Sequence, residues 1–341
     1  MKTVAACGIF TCHNYQSNGQ TVKSNIFLDE FKNIFSNKNI EIIDYGGTIN
    51  RILMFPRLVK ALIISKNIVI FPAENALPFM AIWLVIWNII FHRKIHYVVI
   101  GGWLPNFVES HVVTKKMLKR FDYIYVETSI MRNALLPNHF KNVIVMPNCK
   151  RLTIVNPNYS FEGTVKLVTF SRVMKEKGIE YALQATKYAN SKVGDDIFEL
   201  DIYGDIIIDQ RSWFKELQAK FPPFVKYKGC IPFSQSTQTL CNYYALLFPT
   251  YYSGEGFAGT LIDSFAASLP PIVSDWHNNS EIVEDRVTGL IVPVHDVVAL
   301  GEAIIWSYLH KHQWDEMRNN CREQAIKYLP EKVIPIITSN F

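Results

Sequence analysis

Short apolar runs alternate with longer amphipathic stretches along almost the whole chain. In the first half, "TVAACGIF", "NIEIIDYG", "NIVIFPA", "IHYVVIGG", "DYIYVET" and "NVIVMPN" are predicted strands, and "QTVKSNIFLDEFKNIF" and "NRILMFPRLVKALIIS" are predicted helices. Strands that are apolar throughout and separated by helices indicate a parallel sheet covered on both faces. A polar stretch with Pro and Asn, residues 148–163, interrupts the pattern. It then restarts with "VKLVTFS", "FELDIYG", "VKYKG", "ALLFPT", "PIVSD" and "GLIVPV". The expected architecture is α/β, two doubly wound domains facing each other across a cleft. They span residues 1–150 and 151–324, with about 325–341 packing back on the first. Ligands of open α/β sheets bind outside the carboxyl ends of the strands, so the loops that follow strands are where chemistry is sought.

A length of 341 residues, nearly half of them hydrophobic, suits two domains with large cores. The longest apolar stretch, Leu77 to Phe91, has fifteen residues and contains Pro78 and Asn88. It is too short for a spanning helix, which needs roughly twenty. It reads either as a helix packed on a sheet or as one lying in a membrane interface, with Trp83 and Trp87 on one face and His92, Arg93 and Lys94 at its end.

Charge is uneven. Residues 1–150 carry 17 Lys and Arg against 8 Asp and Glu, and residues 151–341 carry 18 against 22. A basic half suggests an anionic partner such as a membrane surface or a phosphorylated acceptor. Nucleic acid is not expected, because no helix-turn-helix, RNP or zinc pattern is present. The six cysteines form no CxxC pair and no zinc-spaced cluster. That usage, with an N-terminus unlike a signal peptide, points to the cytoplasm.

Three loops of the second half carry candidate chemistry. "VTFSRVMKEKGI" places Arg172 just past a strand and Lys177 five residues on. A guanidinium fork and an ammonium at a strand end suit a diphosphate, although solvated basic residues would read the same way. Gly204 in "YGDI" either admits a ligand close to the backbone or serves a plain turn. "SGEGFAGTLIDSFAA" puts Glu255 in a loop and Asp263 about one turn into a helix, whose first amides, around Phe257 to Thr260, favour an anion. An Asp at that place is also favoured by the helix dipole alone. Two carboxylates would also fit a glycoside hydrolase pair. No Asp-x-Asp occurs, and no metal site is expected.

From about Lys166 to Ile304, the series "FSRVMKEKGI", "YGDI", "YKGCI", "LLFPTYYSGEGFAGTLIDSFAASLPPIVSDWHNNSEIV" and "GLIVP" resembles the retaining glycosyltransferases of GT-B fold, family 4 type. The resemblance implies two Rossmann-like domains, an acceptor domain followed by a donor domain. It also implies transfer of a sugar from a nucleotide-diphosphate sugar, a UDP-sugar above all, which is a co-substrate rather than a bound cofactor. Glu255 would then bind the hydroxyls of the transferred sugar and Asp263 the ribose, which a carboxylate can accept in pairs. Arg172 and Lys177 would bind the diphosphate, stabilising charge on the leaving group. The amides of Gly256, Phe257, Ala258, Gly259 and Thr260 would face donor oxygens, with Gly204 nearby.

In the first half, Gly19 and Gln20 in "SNGQTVKSN" and Gly101 and Gly102 in "IGGWLPNF" are expected to line the acceptor side. Many relatives carry a donor-contacting His near the second loop. Here the nearest is His111, on a helical pattern, and none takes that place. Lys115, Lys116, Lys119 and Arg120 form either a solvated helix face or a contact for anionic lipid. The expected protein is a cytoplasmic transferase, peripheral on the membrane. It would act on a saccharide or lipid-linked acceptor in cell-surface polysaccharide biosynthesis. A sugar-nucleotide epimerase or synthase of the same fold, or a catalytically silent nucleotide- or membrane-binding partner, are the alternatives.

Overall fold

The computed structural model describes residues 1–10, 19–155, 163–194 and 197–341. Cys12, residues 17 and 18 of the Gly19 loop and residues 156–162 of the polar linker lie outside the described residues. The chain divides into two compact units, residues 1–151 with 328–341 and residues 152–327.

The first unit runs β1 Lys2–Gly8, α1 Gly19–Ile34, β2 Ile40–Asp44, α2 Thr48–Ile64, β3 Ser65–Ile70, α3 Leu77–Phe91 and β4 Lys94–Val98. It continues α4 Leu104–Ser110, α5 Val112–Leu118, β5 Tyr123–Val126, α6 Ser129–Leu135 and β6 Val143–Val145. Its six strands form one sheet in the order β2-β1-β3-β4-β5-β6, and each observed pairing is parallel. Each strand alternates between two cores. Ala5 and Cys7 of β1 join Met54, Leu58, Met80 and Leu84 of α2 and α3, whereas Val4 and Ala6 join Phe27 and Phe31 of α1. Burial on both faces is why these strands read as unbroken apolar runs.

The second unit runs β7 Val165–Phe170, α7 Ile179–Val193, β8 Phe198–Tyr203, α8 Arg211–Gln218, β9 Val225–Gly229, α9 Ser236–Leu240 and β10 Ala245–Phe248. Then follow α10 Gly259–Ala266, β11 Pro271–Ser274, α11 Asn279–Ile282, β12 Leu290–Val292, α12 Val297–Leu309 and α13 Lys311–Ile326. Its parallel sheet has the order β12-β11-β10-β7-β8-β9. Counted within the unit, that is the 3-2-1-4-5-6 order of nucleotide-binding sheets. The last helix, α14 Pro330–Thr338, returns to the first unit, where Val333, Ile334 and Ile337 complete the α1-side core. Beyond it, the Phe341 ring lies 5.7 Å from Phe31 and 5.8 Å from Phe35.

Helix α3 buries Leu77, Met80, Ala81, Leu84 and Val85 against the sheet. Trp83 and Trp87 are half-buried against that core, and the Trp83 indole donates to the Phe55 carbonyl at 3.0 Å. The two indoles therefore do not form an outward face. The exposed stripe of α3 is instead Phe79, Ile86, Ile89 and Ile90. No helix among the described residues is long and apolar enough to cross a membrane.

Candidate functional site

In the second sheet, β10 and β7 are neighbours, and the winding of the chain reverses between them. The crevice at such a reversal is open because the flanking connections leave in opposite directions. The turn after β7 is a short 3-10 segment, Lys175–Lys177, closed by Gly178 at φ 74°. A Cβ on Gly178 would stand 2.1 Å from the Pro249 carbonyl oxygen, so only glycine lets the turn touch the loop after β10. The Tyr251 amide ties the two by donating to the Glu176 carbonyl at 2.7 Å.

That contact brings Lys177 to Glu255. The Lys177 ammonium donates to Glu255 Oε2, and both side chains are buried. Thr250 Oγ1 sits 3.0 Å from the same carboxylate oxygen. The ammonium also lies 5.2 Å from the centre of the Tyr252 ring and 5.4 Å from that of Phe248, a setting that favours a cation. Arg172 is exposed, and its guanidinium lies 5.4 Å from the centre of the same Tyr252 ring. One buried cation paired to a carboxylate, one exposed cation and a shared aromatic platform form a site that can take an anion and a hydroxyl-bearing group together.

The loop carrying Glu255 is held by backbone bonds. The Glu255 amide donates to the Tyr252 carbonyl at 3.0 Å, and Asn278 Nδ2 donates to the Glu255 carbonyl at 3.0 Å. The Trp276 indole donates to the Tyr252 carbonyl at 2.9 Å. Beside them, burial pushes the His277 imidazolium below its usual pKa, and the Glu255 carboxylate opposes that shift. Sequence reading had not singled out Thr250, Tyr252, Trp276, His277 or Asn278. All lie inside the one quoted stretch that runs from "LLFPT" to "NNSEIV", yet nothing in their spacing marks them as parts of one site.

Asp263 sits at the fifth position of α10 with 2% of its surface exposed, among the buried Leu261, Ile262, Ser264, Phe265 and Ala266. Gly256, Phe257 and Ala258 are buried, whereas Gly259 and Thr260 are half-buried at the helix start. The Thr260 hydroxyl donates to the Phe170 carbonyl at 2.6 Å, which ties the start of α10 to the end of β7. The close approach that demands glycine at 204, where φ is 143°, is to the protein itself. A Cβ there would lie 1.7 Å from the Ser171 carbonyl oxygen.

In the first unit, Gln20 opens α1 and its amide nitrogen donates to the Phe71 carbonyl at 3.0 Å, so it is placed at the carboxyl end of β3. Gly101, at φ 87°, and Gly102 follow β4 and are half-buried. Gly19 has open space where a side chain would go. His111 does not continue a helix. It stands between α4 and α5, its ring stacked on Phe107 at 3.8 Å and its Nδ1 2.9 Å from the Phe107 carbonyl oxygen. Of the basic run, Lys115 reaches Asn138 Oδ1 at 3.1 Å and Lys119 lies over the Phe140 ring.

Residues 164–309 match the family model of the glycosyl transferases group 1. No curated protein matches the chain in sequence. Several solved structures share its fold. Anabaena HepE in complex with UDP is 14% identical, with 100% of this chain and 99% of that one covered and a TM-score of 0.75. Sucrose-phosphate synthase from Thermosynechococcus elongatus is also 14% identical, with 100% and 98% covered and a TM-score of 0.75. A point mutant of S. aureus TarM in complex with fondaparinux, alpha-GlcNAc-glycerol and UDP is 16% identical, with 84% and 58% covered and a TM-score of 0.66. The two six-stranded parallel sheets with their helices are the α/β architecture of the GT-B glycosyltransferases.

Proposed function

From the match of residues 164–309 to the family model of the glycosyl transferases group 1, we propose that the chain moves a sugar from a nucleotide-diphosphate sugar to a saccharide or lipid-linked acceptor. The observation that carries this is the Lys177–Glu255 pair at the chain reversal, with Arg172 on the shared Tyr252 ring. Arg172 and Lys177 take the diphosphate, Glu255 the hydroxyls of the sugar and Asp263 the ribose. The amides of residues 256–260, at the mouth of α10, add partial positive charge toward the phosphates. UDP is the favoured nucleotide, since the complexes of HepE, a protein of the same fold, hold UDP or UDP-glucose.

In the proposed reaction an acceptor oxygen bonds to the anomeric carbon while the bond from that carbon to the β-phosphate oxygen breaks. The acceptor attacks from the face that the phosphate leaves, so configuration is retained, and its proton passes to the departing phosphate, so no protein base is needed. Fixed cations that meet the charge as it develops supply the stabilisation without a metal ion. Gly19, Gln20, Gly101 and Gly102 belong to the loops we assign to the acceptor.

The first unit also carries an apolar surface suited to an anionic bilayer. Ile49, Ile52 and Leu53 are exposed on α2, as are Phe79, Ile86, Ile89 and Ile90 on α3. Arg51, Arg57 and Lys60 share α2, and Arg93 follows α3. Apolar side chains beside basic ones are the composition of an interfacial helix face. We assign the enzyme to the cytoplasmic membrane face, in the assembly of a cell-surface polysaccharide.

The test is transfer from a panel of nucleotide sugars, starting with UDP-glucose, with product analysis. Glu255→Gln and Arg172→Ala are expected to lose at least about 100-fold in turnover, the size of a lost electrostatic contact to a developing charge. Wild-type turnover in either variant would overturn the site. An epimerised sugar nucleotide in place of a new glycosidic bond would overturn the reaction.

A further inference from the structure

Lys175 and Lys177, two residues apart in one turn, serve different places. Lys177 is buried on Glu255, while Lys175 is exposed and its ammonium lies 5.9 Å from the centre of the Trp213 ring. Lys175 lines a cavity of about 230 Å³ with Glu180, Tyr181, Gln184, Trp213 and Tyr251. None of these residues belongs to the donor site assigned above. The cavity is smaller than the roughly 300–1,000 Å³ of sites for drug-sized ligands, which suits one sugar ring of a chain that continues into solvent.

Its walls are partly built in advance. Tyr181 meets Tyr251 edge to face at 6.0 Å, and the Tyr181 hydroxyl lies 2.8 Å from His295 Nδ1. The His295 ring is 4.5 Å from that of Tyr251. Gln210, just ahead of α8, accepts from the Lys175 amide at 2.7 Å and donates to Glu176 Oε2 at 2.9 Å. Those two bonds lock the turn bearing Lys175 against the start of the helix bearing Trp213. Rings held this way lose little freedom when a ligand arrives.

We propose that this cavity is a second, non-reacting saccharide subsite, which holds a sugar unit of an oligosaccharide acceptor or product beside the donor site. Half-buried aromatic faces take the apolar C–H face of a pyranose ring. Around them, the Glu180 carboxylate accepts, the Lys175 ammonium donates, and the Gln184 amide does both, which is the complement of a ring of hydroxyls. A phosphate would meet Glu180, and a purely apolar ligand would take the polar ends of Lys175, Glu180 and Gln184 out of water without replacing it. The subsite adjoins the donor site through a short path: the Tyr251 amide bonds the Glu176 carbonyl, and the adjacent Thr250 contacts Glu255. A chain held here is kept near the enzyme between transfers, which raises its effective concentration.

The proposal rests on the transferase reading, and the experiment separates the two. Wild type, Trp213→Ala and the double variant Glu180→Ala/Gln184→Ala are applied to an array of immobilised oligosaccharides. UDP binding is followed in parallel by thermal shift. The expected result is selective retention of a class of glycans by the wild type, weakened about tenfold in both variants, with UDP binding unchanged. Because Glu180 and Gln184 are exposed, the double variant still decides the matter if Trp213→Ala fails to fold. Retention of no glycan, or equal retention by the double variant, overturns the subsite while UDP binding leaves the transferase reading standing. Loss of UDP binding by the wild type overturns the transferase reading instead.

Discussion

Lys177 and Glu255 stand 78 positions apart in the chain and meet as an ion pair with side chains 7% and 9% exposed. A pair so far from water is costly to break from one side, because the remaining charge has no solvent to turn to. Lys177→Met should therefore lower stability by about 3–5 kcal/mol, readable as a shift in the urea midpoint. The double variant Lys177→Met/Glu255→Gln, which removes both charges, should recover much of that loss and still fail to transfer sugar. A double variant no more stable than Lys177→Met would mean that the pair is not what holds the two loops together.

Asp263 is predicted to matter by its charge and its size together. The helix around it is buried on every side from Leu261 to Ala266. An additional methylene has no obvious room, and overpacking of this kind costs about 1–3 kcal/mol. Asp263→Glu should thus lower the melting temperature, whereas Asp263→Asn should fold normally and bind UDP more weakly. If Asp263→Asn binds UDP as the wild type does, the carboxylate serves the helix and not the donor.

Membrane attachment is checked with vesicles. The wild type should sediment with vesicles rich in an anionic phospholipid, less so as salt rises, because each basic residue near the surface contributes about 1 kcal/mol that salt screens. Ile86→Glu together with Ile90→Glu places acids in the exposed stripe of α3, and should reduce retention at least tenfold while UDP binding stays unchanged. Equal retention by the variant would assign the attraction to some other face.

His96 is expected to make the first unit sensitive to acid. It is fully buried, with Nδ1 3.1 Å from the Tyr125 hydroxyl and Nε2 3.2 Å from Asn67 Oδ1. Burial, with a smaller contribution from Lys94, pulls its pKa down from 6.5 to about 3. The folded form therefore binds this proton only in strong acid, while the unfolded chain binds it below about pH 6.5. Stability is full above that value and falls by about 1.4 kcal/mol per pH unit as pH drops toward 3. His96→Gln should have a shallower acid limb than the wild type in unfolding measured from pH 7 to pH 5, and identical limbs would rule His96 out as the cause.

Much was legible without a structure. Each of the twelve strands among the described residues overlaps a quoted run, and most of those runs are apolar because a strand buried on both faces has to be, the edge strand β9 with its two lysines being an exception. The Arg172 and Lys177 loop and the acid-bearing loop were also visible, since they lie a few residues past strand ends, where a doubly wound sheet exposes its crevice. His111 was misread because helical periodicity does not reveal a break between two short helices. The place of the α3 tryptophans stayed open between core and interface because both sides of that helix are apolar, so its pattern alone could not say which side meets the sheet.

Local sequence thus determined the strands, the parallel class and the loops able to carry chemistry, because these follow from burial and turn chemistry over a few residues. Only the tertiary structure decided which loops meet. The order of strands puts β7 beside β10, and the bare backbone of Gly178 lets Pro249 approach. Those two facts pair Lys177 with Glu255 and set Tyr252 beneath Arg172. No periodicity encodes such contacts, since they depend on how distant segments fill the same space.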